Sequence, residues 1–119
     1  MKTTISKAFS FDAAHFLPKV SEGHKCKNLH GHTYKVILKL KGEIDPEMGW
    51  IIDFSEISSY FKPILTELDH KLLNNIKGLE NPTAENISGW IFIKLKGVLK
   101  ELSSVTVYET ESCWAETEE

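Results

Sequence analysis

The sequence has little of several features that mark specialised classes of protein. It has two cysteines, too few for the disulfide framework of a small secreted protein. No stretch approaches the roughly 18 apolar residues of a membrane span, and the N-terminal residues lack the apolar core of a signal peptide. The formal charge of −3 argues against a strongly basic surface. We therefore expect a reduced, cytoplasmic protein with no nucleic-acid or membrane partner.

The pattern of apolar residues predicts an α+β fold in a single domain over residues 1–119. Apolar and polar residues alternate over 3–16, 30–41 and 104–110, and a short strand is expected near 113–115. A short extended return is expected at 50–52, and the acidic end from Glu116 is predicted to fray. Two stretches of helical spacing lie between the second and third strands. The predicted order is β-β-α-α-β-β, a four-stranded antiparallel sheet with two helices on one face.

The two helices have recognisable starting signals. Asp53 followed by Glu56 resembles a capping box, and the apolar stripe that follows runs as far as Leu72. Pro63 lies inside this stripe, and a kink is expected there. The second helix opens at Asn81-Pro82-Thr83, and its stripe runs as far as Leu102.

Histidine is the residue that this sequence concentrates. Four of the five histidines lie in an 18-residue span, and His30-Gly31-His32 places two imidazoles on the same side of a strand. His15 ends the neighbouring strand with inward parity, so a third imidazole can reach the same point. Three histidines with an open position are typical of catalytic zinc, although core histidines bonded to the backbone remain an alternative.

Other reactive residues allow more than one interpretation. Cys26 could be a fourth ligand of a closed structural zinc site, a thiolate that acts as base or nucleophile beside the metal, or an inert loop residue. Asp69 and His70 are adjacent, and on a helix their side chains would diverge, so they are not expected to form a self-contained dyad. Glu109 shares the inward parity of its strand. Its carboxylate could therefore bind the two-donor edge of a pterin or guanine, unless the strand end reaches solvent.

Six blocks of the sequence occur in the same order in the 6-pyruvoyltetrahydropterin synthase family, which the chain resembles along nearly its whole length. The blocks are FDAAH (11–15), EGHKCKNLHGH (22–32), GWIIDF (49–54), LDH (68–70), ENPTAEN (80–86) and VYET (107–110). The second and third blocks, together with GLENPT (78–83), favour the branch that forms 6-carboxytetrahydropterin in queuosine (7-deazapurine) biosynthesis. The pyruvoyl branch spaces its cysteine loop differently.

The resemblance implies a role for each residue that matches a family motif. The residues that match the Zn2+ ligands are His15, His30 and His32. Cys26 matches the proton-abstracting base, and Asp69 and His70 match a second catalytic pair supplied by a neighbouring subunit. The residues that match the pterin-holding positions are Glu109, the ring anchor, and Thr83 and Glu85 of the 82–85 segment.

The resemblance also implies a reaction and an assembly. A lyase of this branch converts 7,8-dihydroneopterin triphosphate to 6-carboxy-5,6,7,8-tetrahydropterin, releasing acetaldehyde and triphosphate, whereas the pyruvoyl branch retains the side chain. The family fold is the tunnelling fold, whose subunits join their sheets into barrels as trimers that stack into homohexamers. Two other interpretations stay open: a non-enzymatic module whose closed zinc site includes Cys26, and a cyclohydrolase-type enzyme on the same fold.

Overall fold

The structure is a computed structural model that describes all 119 residues. Both helices pack against a four-stranded antiparallel sheet. The elements in chain order are β1 (Thr3–His15), β2 (His30–Gly42), α1 (Phe54–Leu68), α2 (Ala84–Lys96), β3 (Leu102–Tyr108) and β4 (Trp114–Glu118). The strands lie in the order β1-β2-β3-β4. The predicted α+β class and element order are confirmed. No helix is long and apolar enough to cross a membrane.

One face of the sheet forms the core with the two helices. Residues of alternate parity on the strands are buried there, and they join the inward residues of α1 and α2 in one cluster of 20 buried side chains. The strands contribute, among others, Phe11, Val36 and Val107, and the helices contribute residues such as Ile57 and Ile91. The alternation therefore determines which side chains face the helices and which face away.

Both helices begin at the predicted caps but end earlier than their apolar stripes. The carboxylate of Asp53 accepts from the backbone N–H of Ser55 at 3.0 Å, and α1 continues through Pro63 to Leu68. Asp69 is extended and His70 has a left-handed φ of 59°, so the stripe to Leu72 is not helical. The second helix likewise ends at Lys96 rather than at 102.

Two local predictions are wrong. Residues 50–52 form bends rather than an extended return. The acidic tail is not frayed but forms most of β4, which pairs with β3 from Trp114 to Glu118. Thr117 hydrogen-bonds to the buried Ser88 of α2 at 2.6 Å, and Glu116 lies 3.5 Å from the ammonium of Lys39. These contacts order a segment whose composition alone suggests disorder.

Candidate metal centre and adjoining pocket

Three histidines converge where the β1–β2 hairpin meets its connection. The antiparallel register sets His15 directly opposite His30, and His32 opposite Ala13. Since all three side chains share the core face, one ring nitrogen of each lies within 4.8 Å of the others. Nε2 of His15 and Nε2 of His32 are 2.9 Å apart. The geometry predicted from strand parity is therefore present, and this cluster could hold a metal ion.

Backbone carbonyls orient two of these rings. Nδ1 of His15 donates to the carbonyl of Pro82 at 2.8 Å, and Nδ1 of His30 donates to the carbonyl of Asn28 at 2.7 Å. Each hydrogen bond places the ring proton on Nδ1, so that Nε2 keeps its lone pair, and each bond also fixes the orientation of the ring. His32 then donates its Nε2 proton to Nε2 of His15. A metal ion bound here would take the place of that proton.

The electrostatics of the cluster also suit a metal. Burial lowers the pKa of His15 below its usual value, against smaller raising effects from the Pro82 bond and from Glu109. Burial likewise lowers the pKa of His32. Both rings are thus neutral at pH 7, the form in which imidazole is a ligand. Three imidazole nitrogens, with Glu109 adding negative potential, form a donor set that fits a zinc ion with an open position.

Cys26 lies near this cluster in sequence but is not among its donor atoms. It is half-buried in a 3₁₀ turn, Lys25–Lys27, within the long connection between β1 and β2. Its carbonyl accepts from the backbone N–H of Leu17 at 2.8 Å, which closes the connection into a loop. Its own N–H donates to Nδ1 of His24 at 3.0 Å. His24 therefore caps the turn and is not part of the cluster.

Glu109 lies in a second feature of the site, here called the anchor pocket. This cavity of about 570 Å³ is lined by the three residues predicted to hold a pterin, Glu109, Thr83 and Glu85, together with Leu17 and Cys113. Glu109 is half-buried one residue beyond β3. Thr83 caps α2 by accepting from Asn86 N–H at 3.1 Å. The segment that leads into α2 therefore both orients His15 through the Pro82 carbonyl and forms one wall of the pocket.

Asp69 and His70 are in contact, contrary to the helix-based expectation. Oδ2 of Asp69 lies 3.0 Å from Nδ1 of His70, because neither residue is helical. The free edge of β1 holds the pair: Asp12 donates its N–H to Oδ1 of Asp69 at 3.0 Å and accepts from the N–H of His70 at 2.6 Å. The Asp12 bond, and then the His70 ring, lower the pKa of Asp69. The dyad is therefore ionised on Asp69 at neutral pH.

The exposed ring of His70 lies in a groove separate from the anchor pocket. This groove, of about 630 Å³, is lined by residues including Asp12, Thr33 and Lys71. Asp12 and Thr33 have the strand parity opposite to that of the three core-face histidines, but His32 of that cluster also lines the groove. Neither Cys26 nor Glu109 lines the groove, so the structure does not bring the dyad together with these residues within one chain.

Sequence reasoning missed three contributors to the site. The carbonyls of Pro82 and Asn28 orient ligand rings, but a carbonyl is present in every residue and carries no sequence signal. The third is Tyr34, which is buried beside the histidines with ring centroids 5.7 Å from His15 and 5.1 Å from His32. Its parity, shared with His30 and His32, was the available signal.

Fold and site together define an α+β protein with three converging histidines that could hold a metal ion and a pocket lined by Glu109, Thr83 and Glu85. The family described as "6-pyruvoyl tetrahydropterin synthase" matches residues 4–119, and the chain belongs to this family. The 6-carboxy-5,6,7,8-tetrahydropterin synthase of Synechocystis sp. is 42% identical over 112 residues, covering 89% of this chain and 85% of the relative.

Two further relatives are named for different activities. The dihydroneopterin monophosphate aldolase of Pyrococcus furiosus is 38% identical over 96 residues, covering 81% of this chain and 77% of the relative. The solved structure of Caenorhabditis elegans 6-pyruvoyl tetrahydropterin synthase superposes with a TM-score of 0.92 at 30% identity, covering 100% of this chain and 96% of that one. Membership of the family therefore does not by itself specify which of these reactions applies to this protein.

Proposed function

We propose that this protein is a zinc-dependent lyase that converts 7,8-dihydroneopterin triphosphate to 6-carboxy-5,6,7,8-tetrahydropterin. One water is taken up, and acetaldehyde and triphosphate are released. The observation that carries the proposal is the convergence of one ring nitrogen from each of three histidines beside a pocket that contains Glu109. The similarity to a relative named for this product supports the choice of reaction. The product would serve queuosine biosynthesis in the cytoplasm.

In this proposal each part of the site has a separate task. His15, His30 and His32 hold the zinc ion, which when bound supplies Lewis-acid polarisation of the substrate side chain. The Glu109 carboxylate accepts two hydrogen bonds from the edge of the pterin ring. Thr83 and Glu85 contribute to the same pocket, and their position at the start of α2 supports that assignment.

Proton transfer is assigned to Cys26 and His70. Cys26 acts as the base, since it lies in the connection that leads into the His30-Gly31-His32 strand. His70 donates or relays protons through Nε2, because Asp69 occupies its Nδ1 at 3.0 Å. An ionised Asp69 stabilises the protonated imidazole, which suits a proton donor.

The separation of His70 from the anchor pocket supports a homo-oligomer with shared active sites. The His70 groove and the anchor pocket have different walls, so a dyad that serves this chemistry would do so in a neighbouring copy. The sheet ends in β1 and β4, and both edges can pair with other copies to close a barrel. A trimer, or a hexamer of two trimers, is the proposed working unit.

Product analysis tests the reaction. The zinc-loaded protein is incubated with 7,8-dihydroneopterin triphosphate, and acetaldehyde and the pterin products are measured by chromatography. The expected result is one acetaldehyde per 6-carboxytetrahydropterin, with none from the metal-free protein. Release of formate from GTP would instead indicate a cyclohydrolase, and absence of any turnover would contradict the proposal.

Retention of the side chain is the second candidate. It is favoured by the close superposition on the C. elegans enzyme, which is named for the pyruvoyl product. In the same assay a pyruvoyltetrahydropterin without acetaldehyde would select this candidate. Cleavage of the side chain without acetaldehyde would point to the aldolase activity for which the P. furiosus relative is named.

A further inference from the structure

Tyr34 is a fully buried residue to which the proposed reaction assigns no task. It lies on the core face of β2, two residues beyond His32, with 0% of its surface exposed. Its ring stacks on Phe11, with 5.0 Å between centroids, and meets the rings of His15 and His32 edge-on. The phenol therefore forms part of the packing beneath the metal centre.

The hydroxyl of Tyr34 is buried without a hydrogen-bond partner. Buried tyrosine hydroxyls ordinarily find a partner, because leaving one unpaired loses the hydration that it had in water. A phenylalanine would stack on Phe11 equally well and would not carry this cost. The hydroxyl oxygen is therefore free to bond a functional group that moves within its reach.

The strand register points to Glu109 as the candidate partner. On β2 and β3, Lys35 pairs with Tyr108 and Val36 with Val107, and extending this register by one residue beyond β3 sets Tyr34 opposite Glu109. Burial, and to a smaller extent the negative charge of Glu109, raise the pKa of Tyr34. Tyr34 thus lies between the metal centre and the pterin anchor.

Glu109 itself has two spaces available to its side chain. It lines the anchor pocket, and it also lines a cavity of about 590 Å³ beside Lys35 and Tyr108. Lys35 and Tyr108 share the parity that faces away from the helices. A hydrogen-bond donor on the core face would hold the carboxylate toward the anchor pocket and away from Lys35.

We propose that Tyr34 is a positioning residue: when a pterin is bound, its hydroxyl donates to the Glu109 carboxylate and holds it toward the heterocycle. This inference rests on the proposed function. It adds a hydrogen bond between Tyr34 of β2 and the pterin anchor Glu109, and this bond would connect the metal centre with the anchor pocket. The hydroxyl has no partner before the pterin binds. Its removal should therefore weaken pterin binding but should not lower the stability of the ligand-free protein.

The test compares the full-length protein with the Tyr34→Phe variant, both zinc-loaded, by titration with neopterin, a fluorescent oxidised pterin. The expected result is roughly tenfold weaker neopterin binding, in line with loss of one hydrogen bond to a charged group. The melting temperature of the variant without ligand should be equal or higher. Tyr60→Phe, which removes the same atom from an exposed tyrosine of α1, is the matched control.

A double-mutant cycle shows whether Tyr34 acts through Glu109. In a Glu109→Gln background, Tyr34→Phe should change neopterin binding by less than about twofold, because coupled residues are non-additive. The absorption spectrum of the Co2+-substituted protein should be the same with and without Tyr34→Phe. A changed spectrum would mean that Tyr34 acts on the metal ligands and would overturn the assignment.

The other outcomes are equally distinct. Unchanged neopterin affinity in Tyr34→Phe, with tight binding by the unmodified protein, overturns the role of Tyr34 and leaves the proposed function standing. A clear fall in the melting temperature of the ligand-free variant also overturns it, because the hydroxyl would then have a partner in the empty site. Failure of the unmodified zinc-loaded protein to bind neopterin overturns both the proposed function and this inference.

Discussion

Replacing Cys26 by alanine separates an open three-histidine site from a closed site in which the thiolate is a fourth ligand. The three histidines bring their ring nitrogens within 4.8 Å of one another, and Cys26 is not in that group. We therefore expect Cys26→Ala to keep its zinc. If Cys26 is the proton-abstracting base, the variant also loses turnover by about 10²–10⁴-fold.

The two kinds of site differ in the stability that zinc confers. Free zinc at about a thousand times its Kd stabilises the folded protein by roughly 4 kcal/mol, and a hundredfold loss of affinity would leave about 1.4 kcal/mol. For a chain of this length, 1 kcal/mol shifts Tm by roughly 4 °C. A closed site therefore predicts that Cys26→Ala reduces the zinc-induced rise in Tm from about 16 °C to about 6 °C. The open site predicts an unchanged rise.

The assay is thermal melting of each protein without metal and at one fixed concentration of free zinc, together with zinc content per chain. The difference between the two melts is the informative quantity, because Cys26 is half-buried and its loss alters packing equally in both. Cys113→Ala, which removes the other thiol, is the control for metal content. A zinc-induced rise reduced by about 10 °C in Cys26→Ala would refute the open site.

Three further predictions follow from the site. Thr83→Ala removes the cap of α2 and should lower stability by about 1 kcal/mol, seen as a fall in Tm of roughly 4 °C; an unchanged Tm would contradict the capping role. Burial lowers the pKa of His15 and His32, so the unfolded chain binds protons at a higher pH than the folded protein does. The metal-free protein should therefore lose stability as the pH falls below about 6.5. Chemical denaturation at pH 7.5 and 5.5 measures this loss, and equal stabilities at the two pH values would refute it. Inactive Cys26→Ala and His70→Ala proteins, unfolded together and refolded, should recover about a quarter of the activity if sites are shared between copies; no recovery would place both residues in one chain.

The histidine centre illustrates how much of the site local patterns can specify. A strand has a side-chain period of two, so His30 and His32 must share a face, and the parity of β1 points His15 to the same face. The caps of both helices follow from equally local rules. The element order, the α+β class and the three converging imidazoles were therefore predictable.

The contact between Asp69 and His70 and the full length of the last strand were not predictable from such rules. Asp69 and His70 meet because Asp12 of β1, 57 residues before Asp69, binds the side chain of Asp69 and the backbone N–H of His70 just beyond the end of α1 at Leu68. The acidic tail becomes a strand because β3 supplies its hydrogen bonds. In both places long-range contacts override the local composition.

Residue spacing predicted which side chains converge on the site, whereas the packed fold set the protonation and orientation of the rings that meet there. Strand parity is a local property, so three histidines could be assigned to one face before any contact was known. The Nδ1 partner of His15 is the carbonyl of Pro82, 67 residues away, and its low pKa comes from burial by distant parts of the chain. A carbonyl has no identity in the sequence, and burial exists only once the helices cover the sheet.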